Sequence, residues 1–187
     1  MKQYSAPGIA ALLLLFALLC CTTFQSCTKP PDDNPAPGPK PTPCSNCLPP
    51  VTTEGKGTFG CKVNGKVWLP KGSWGSPATR IEYFNDNLMI NGYRSSDETK
   101  VNINVKPIYD TGYYDFSTFN FESSRGLYRN VTLTINYRAQ PITKGYVHLL
   151  RFDPYIKGII SGTFEFDAYN SEGDTVHITE GRFDLYF

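Results

Sequence analysis

Ile156-Lys157-Gly158-Ile159-Ile160-Ser161-Gly162-Thr163-Phe164-Glu165-Phe166-Asp167-Ala168 and, after a polar turn, Thr175-Val176-His177-Ile178-Thr179-Glu180-Gly181-Arg182-Phe183-Asp184-Leu185-Tyr186-Phe187 carry the clearest pattern in this sequence. In the first stretch the even positions are apolar or glycine. The odd positions Lys157, Ser161, Thr163, Glu165 and Asp167 are polar. A period of two is that of a β-strand with one wet face. In the second stretch Val176 and Ile178 keep even parity, but Phe183, Leu185 and Phe187 are odd. The inward parity flips, so one residue is extra, and Gly181 is the expected site of a β-bulge. Matching the faces pairs Ala168 with Val176 and Phe166 with Ile178 before the bulge. Beyond it, Gly162 pairs with Phe183 and Gly158 with Phe187, each aromatic lying over a glycine. A long strand with two inward glycines coils tightly, which favours an antiparallel β-barrel of the lipocalin type, with a β-sandwich close behind.

Working outward, the same rhythm recurs. Val101, Ile103 and Val105 alternate with polar neighbours, as do Leu88, Ile90 and Gly92, and Val131, Leu133, Ile135 and Tyr137. All are read as half-buried strands. Turn residues punctuate them at Asn64-Gly65, Asn85-Asp86-Asn87, Ser95-Ser96-Asp97, Ser124-Arg125-Gly126 and Glu172-Gly173. Asn64-Gly65 predicts a two-residue type I′ hairpin that sets Val63 opposite Lys66 and Cys61 opposite Trp68. Phe59, Cys61, Val63 and Trp68 then share a face, and Val67 and Leu69 on the other face need cover of their own. An all-β domain over residues 58–187, about 130 residues, is the size of one ordinary domain.

The N-terminal part reads differently. Lys2 precedes an apolar run over residues 9–19, the length of a signal-peptide core and too short to span a bilayer. Phe24-Gln25-Ser26-Cys27 resembles the lipobox of bacterial lipoproteins, with Phe in place of the usual Leu, which makes Cys27 the candidate lipid attachment site. The competing reading is an ordinary secretory signal cleaved near Ser26. Several acyl chains on one cysteine would anchor the chain durably to a membrane. Residues 27–57, rich in proline, read as an extended, mobile tether. The 187 residues hold 18 basic and 17 acidic side chains. Without Lys2 the balance is 17 to 17, which leaves no electrostatic footprint for nucleic acid.

The stretch Thr58-Phe59-Gly60-Cys61-Lys62-Val63-Asn64-Gly65-Lys66-Val67-Trp68, together with Ile159-Ile160-Ser161-Gly162-Thr163-Phe164-Glu165-Phe166 and Ile178-Thr179-Glu180-Gly181-Arg182-Phe183-Asp184, resembles an uncharacterised family of Bacteroidota lipoproteins known only as a domain of unknown function. The resemblance brackets residues 58–187 and implies a Gram-negative envelope address, at the outer membrane. It supplies no catalytic residues.

Candidate chemistry is sparse. Cys44-Ser45-Asn46-Cys47 has redox spacing but sits among prolines rather than at a helix N-terminus, so a local disulfide is the reading preferred. Cys61 is then a buried thiol, although a bridge from Cys61 to either tether cysteine stays open. His177 is expected opposite Asp167 as an exposed polar pair, with no nucleophile beside it. His148 is expected half-buried in its strand. Glu165 and Asp167 share a wet face without a cleft, and Asp167, Asn170, Glu172 and Asp174 match no calcium loop. No metal site, cofactor or catalytic residue is expected. Asp174-Thr175-Val176 looks like a short O-glycosylation acceptor, with Thr175 facing outward. The aromatics Tyr109, Tyr113, Tyr114, Phe116, Phe119, Phe121 and Tyr128 exceed what one strand face buries. They suggest a platform for a sugar ring or apolar ligand, or else a second core layer. The expectation is therefore a non-enzymatic envelope lipoprotein holding a small-molecule or glycan ligand. The alternative is a structural protein docking on another envelope component.

Overall fold

The computed structural model describes residues 44, 46–116, 124–139 and 145–187. Among them run the strands β1 (Thr58–Val63), β2 (Lys66–Trp68), β3 (Thr79–Phe84), β4 (Asn87–Arg94), β5 (Thr99–Val105), β6 (Gly112–Asp115), β7 (Arg125–Asn130), β8 (Ile135–Ala139), β9 (Gly145–Phe152), β10 (Ile159–Tyr169) and β11 (Thr175–Tyr186). No described residue is helical. The strands pair antiparallel in the order β2-β1-β11-β10-β8-β7-β5-β4-β3. β10 forks: its end, Ala168 and Tyr169, pairs with β8, and the stretch before pairs with β9, which carries β6 on its other edge. The sheet curls like half a barrel. Lys71, just beyond β2, donates its N–H to Tyr93 O at 2.8 Å and accepts the Ser95 N–H at 2.8 Å, which joins the β2 side to the end of β4. The fold is all-β and antiparallel, as expected, with a curl that suits a barrel or a sandwich.

The C-terminal hairpin has the register its parity demands. Ala168 faces Val176, Phe166 faces Ile178 and Gly162 faces Phe183. Because Phe164 faces Gly181, Glu165 stands opposite two residues, Thr179 and Glu180. The surplus residue is Glu180, at φ 50°, directly before Gly181. Its carboxylate is ion-paired with Lys62 on β1, which holds it below the ordinary glutamate range. Gly181 is needed for a different reason, because a β-carbon there would stand 2.5 Å from the Phe164 ring.

That close seating of rings on glycines builds the core. A β-carbon at Gly126 would stand 2.7 Å from the Phe166 ring, and one at Gly162 would stand 2.8 Å from Phe183. Phe59, Trp68, Phe164, Phe166 and Phe183 are buried, with Leu88, Ile90, Val101 and Ile103 closing the opposite side. Trp68 donates its indole N–H to Thr99 Oγ1 at 2.8 Å, so its one polar atom is satisfied inside. The first hairpin pairs Val63 with Lys66 and Cys61 with Trp68.

Three expectations are corrected. Ser124-Arg125-Gly126 is not a turn: Gly126 lies within β7, where a ring needs its bare Cα. Residues 131–137 are not one strand either. Val131 through Thr134 form the β7–β8 turn, in which the Asn130 side chain accepts the Leu133 N–H at 2.9 Å and Thr134 takes φ 58°. Leu133 is exposed, so the alternation there was fortuitous. Finally, the C-terminal part of the expected tether is strapped to the domain. Leu48 and Pro49 meet Leu69 over Gly60, giving the outward face of β1 and β2 its cover. Downstream, the buried Asp184 carboxylate accepts hydrogen bonds from Thr52 Oγ1 (2.6 Å) and from the N–H groups of Glu54 (3.1 Å), Gly55 (2.8 Å) and Lys56 (3.1 Å). Burial alone would raise the Asp184 pKa, but these donors outweigh it and hold the carboxyl below its usual range. Proline content hid a segment fixed by one carboxylate. Residues 1–43, with the expected signal segment and the expected lipid attachment site Cys27, lie outside the described residues.

Candidate functional site

The strand alternation that buries Leu88, Ile90, Val101 and Ile103 and packs the half-buried Ile81 against them turns Arg80, Glu82, Asn91, Tyr93, Lys100 and Asn102 outward on β3, β4 and β5. Between the loop at Gly75, Ser76 and Pro77 and the β7–β8 turn at Val131, that outer face sinks into a groove of about 480 Å³. Asn91 and Asn102 are directly opposed and hydrogen-bonded amide to amide. A second amide pair joins Asn104 to Asn87. The Asn102 and Asn104 carbonyl oxygens are buried without a partner, so this amide ladder is only half satisfied. Tyr93 donates its hydroxyl to Glu98 at 2.7 Å, which pushes the phenol pKa up, and the Lys100 ammonium lies 5.1 Å from the Tyr93 ring centroid. Arg80 is held by Glu82 at 2.6 Å.

The loop that supplies Gly75, Ser76 and Pro77 to the groove also carries the chain's second tryptophan. Ser73 and Ser76 exchange backbone hydrogen bonds at 3.0 Å, and Gly75, at φ 80°, closes the turn between them. Trp74 is left at the tip with its whole side chain in water (102% relative exposure). The loop is held at both ends by β4: Lys71 N–H bonds to Tyr93 O, and Tyr93 N–H bonds to Ala78 O at 2.8 Å. Trp68 buries its indole and Trp74 displays one. The sequence signal for this was a large aromatic set among small turn residues, Gly72-Ser73-Trp74-Gly75-Ser76-Pro77, outside any alternating run, and the sequence reading missed it.

Among the described residues, the aromatics expected to form a platform are divided between core and solvent. On β6, neighbouring tyrosines point to opposite faces: Tyr113 is exposed and stacked on His148, with centroids 3.9 Å apart, while Tyr114 packs against the core. Phe116 is buried against Phe166. Tyr128 lies on β7 beside Tyr137, half-buried, and Tyr109 is exposed in a loop. Phe119 and Phe121 lie outside the described residues. Period two, applied to a run of aromatics, splits them between core and solvent.

Elsewhere, Cys44 and Cys47 form a disulfide (S–S 2.05 Å), and Cys61 is a buried free thiol whose pKa burial pushes up to about 12. His177 Nδ1 lies 2.6 Å from Asp167 Oδ1 on the solvated face. Thr175 begins β11, half-buried opposite Tyr169. Asn170 Oδ1 accepts the N–H groups of Glu172 and Asp174, a turn-closing role. A second outer groove, of about 550 Å³, lies between Leu133, Arg138, Tyr169 and Asn170.

No curated protein and no solved structure matches the chain. Residues 59–184, which hold both grooves, the amide ladder and Trp74, match the family described as a domain of unknown function, DUF6252, and the chain belongs to that family.

Proposed function

We propose that this domain is a non-enzymatic glycan-binding module of a Bacteroidota envelope lipoprotein, carried at the outer membrane on an acyl anchor at Cys27. The observation that carries the reading is a tryptophan held wholly in water on the loop whose next three residues wall a polar groove floored by paired amides. An indole face stacks on the C–H face of a sugar ring, and amides bond its hydroxyls. Phe rings buried against glycines in the described core agree with a ligand site on the outer face. The alternative, docking on another envelope component, draws on Tyr155 and Ile156, exposed side by side on the β9–β10 loop.

A glycan array of plant, host and bacterial polysaccharide fragments tests this. Retention by the wild-type chain and loss of about tenfold or more in affinity on Trp74→Ala is expected, from removing the largest apolar contact. An array with no glycan retained, or binding indifferent to Trp74→Ala, contradicts it.

A further inference from the structure

The strand order ends at β3, and the far edge of that strand is bare. Asn85 and Asp86, at φ 49° and 54°, form the two-residue turn into β4, which makes Phe84 and Asn87 a hydrogen-bonded pair. At the other end of the same register Tyr93 donates its N–H to Ala78 O. Bonded pairs alternate along an antiparallel ladder. Arg80 and Glu82 therefore turn their backbone groups toward β4, and Thr79, Ile81 and Tyr83 aim theirs away from it. Among the described residues nothing bonds to those outward groups.

Burial falls off toward this edge. Leu88 and Ile90 on β4 are wholly buried, but Tyr83 and Ile81, which face them from β3 on the same inward side, are only half-buried. Phe84, on the outward side, is exposed. The strand has neither a proline nor a bulge, two of the usual protections of a sheet edge. Its two charges are of opposite sign, and in the single chain Arg80 and Glu82 pair with each other along the strand at 2.6 Å.

We infer that the occupant of this edge is β3 of a second copy of the chain, running antiparallel about a two-fold axis at Ile81 and joining the two sheets into one. In that register Ile81 faces the partner's Ile81 and Thr79 faces the partner's Tyr83, bonded through the backbone groups that β4 leaves free. The half-buried inward side chains then continue from one copy to the next. On the outward side Arg80 stands opposite the partner's Glu82, at the closer, non-bonded spacing of the ladder, and Phe84 lies over the partner's Ala78. Sliding one copy by two residues keeps the bonding in step but sets Arg80 against the partner's Arg80, or Glu82 against the partner's Glu82. Charge thus selects the one register. Arg80 and Glu82 also line the first groove, so pairing brings the grooves of the two copies together across the axis. The inference stands whether or not that groove takes a glycan.

Sedimentation equilibrium of the full chain tests it, in a Cys27→Ser background so that no acyl chain drives association. One strand edge is small for an interface, and the parent chain is expected to dimerise reversibly below about 0.5 mM. Arg80→Glu and Glu82→Arg each set two like-charged pairs across the axis, and each is expected to weaken self-association about tenfold or more. Mixing the two variants in equal amounts opposes unlike charges again and is expected to restore dimers to within about threefold of the parent. A parent chain that stays monomeric throughout that range overturns the inference. So does a dimer that both reversals leave intact, or a mixture that stays monomeric.

Discussion

The Phe166 ring rests on Gly126, its carbons 2.7 Å from where a β-carbon of residue 126 would stand. The contact joins β10 to β7 across the curl, and neither backbone nor ring has room to withdraw. Gly126→Ala is therefore expected to lower stability by about 1–3 kcal/mol through overpacking. Denaturant unfolding monitored by circular dichroism checks it. A wild-type midpoint would mean the ring is not seated as described.

Asp184 fixes residues 52–56 with a hydroxyl and three backbone N–H groups. Asp184→Asn removes the charge and presents an N–H₂ group to those donors, and is expected to cost about 2 kcal/mol. Because the folded-state pKa is depressed, the clasp contributes fully above the ordinary aspartate range. Its contribution fades as pH falls through the lower, folded value. The wild-type advantage over Asp184→Asn should hold at neutral pH and close in strong acid. Tryptic cleavage after Lys56 should also speed up in the variant. Equal cleavage rates would show that the strap is held by something else.

Cys61 is buried in the core with its pKa pushed up to about 12, so almost no thiolate exists at about pH 8. Iodoacetamide should leave Cys61 unlabelled in the native protein and label it on unfolding, as read by peptide mass mapping. Rapid native labelling would place the thiol elsewhere.

Glu180 occupies the bulge at φ 50°, a conformation glycine adopts freely and a β-branched residue resists. Glu180→Gly is expected to keep Tm close to wild type despite losing the Lys62 pair, and Glu180→Val to lower it clearly. The reverse order would place the surplus residue at another position.

These four sites also mark how far the sequence could be read. The hairpin of β10 and β11 was legible because parity is a counting argument: Ile178 and Phe183 cannot both face inward without a surplus residue. Which residue takes the strain was less legible, since Gly181 was the natural candidate and is instead needed beneath Phe164. The Asp184 clasp was hidden because its partners are mostly backbone N–H groups, which every residue but proline possesses. Alternation misled at residues 131–137, where Asn130 closes a turn without glycine. The aromatic run at 109–128 drew attention by its density. The proposed binding surface rests on side chains that look ordinary one at a time: Asn91 and Asn102, which strand pairing brings into one groove, and Trp74, at the tip of the loop that walls it.

Acrylamide quenching of tryptophan emission tests the central claim most directly, because the chain holds two tryptophans, one buried and one in water. In the free protein the Trp74 component should quench readily and the Trp68 component should not. Adding the glycan that the array identifies should protect Trp74 to the level of Trp68. A bound glycan that leaves Trp74 as quenchable as before would contradict the assignment of this groove as the binding site.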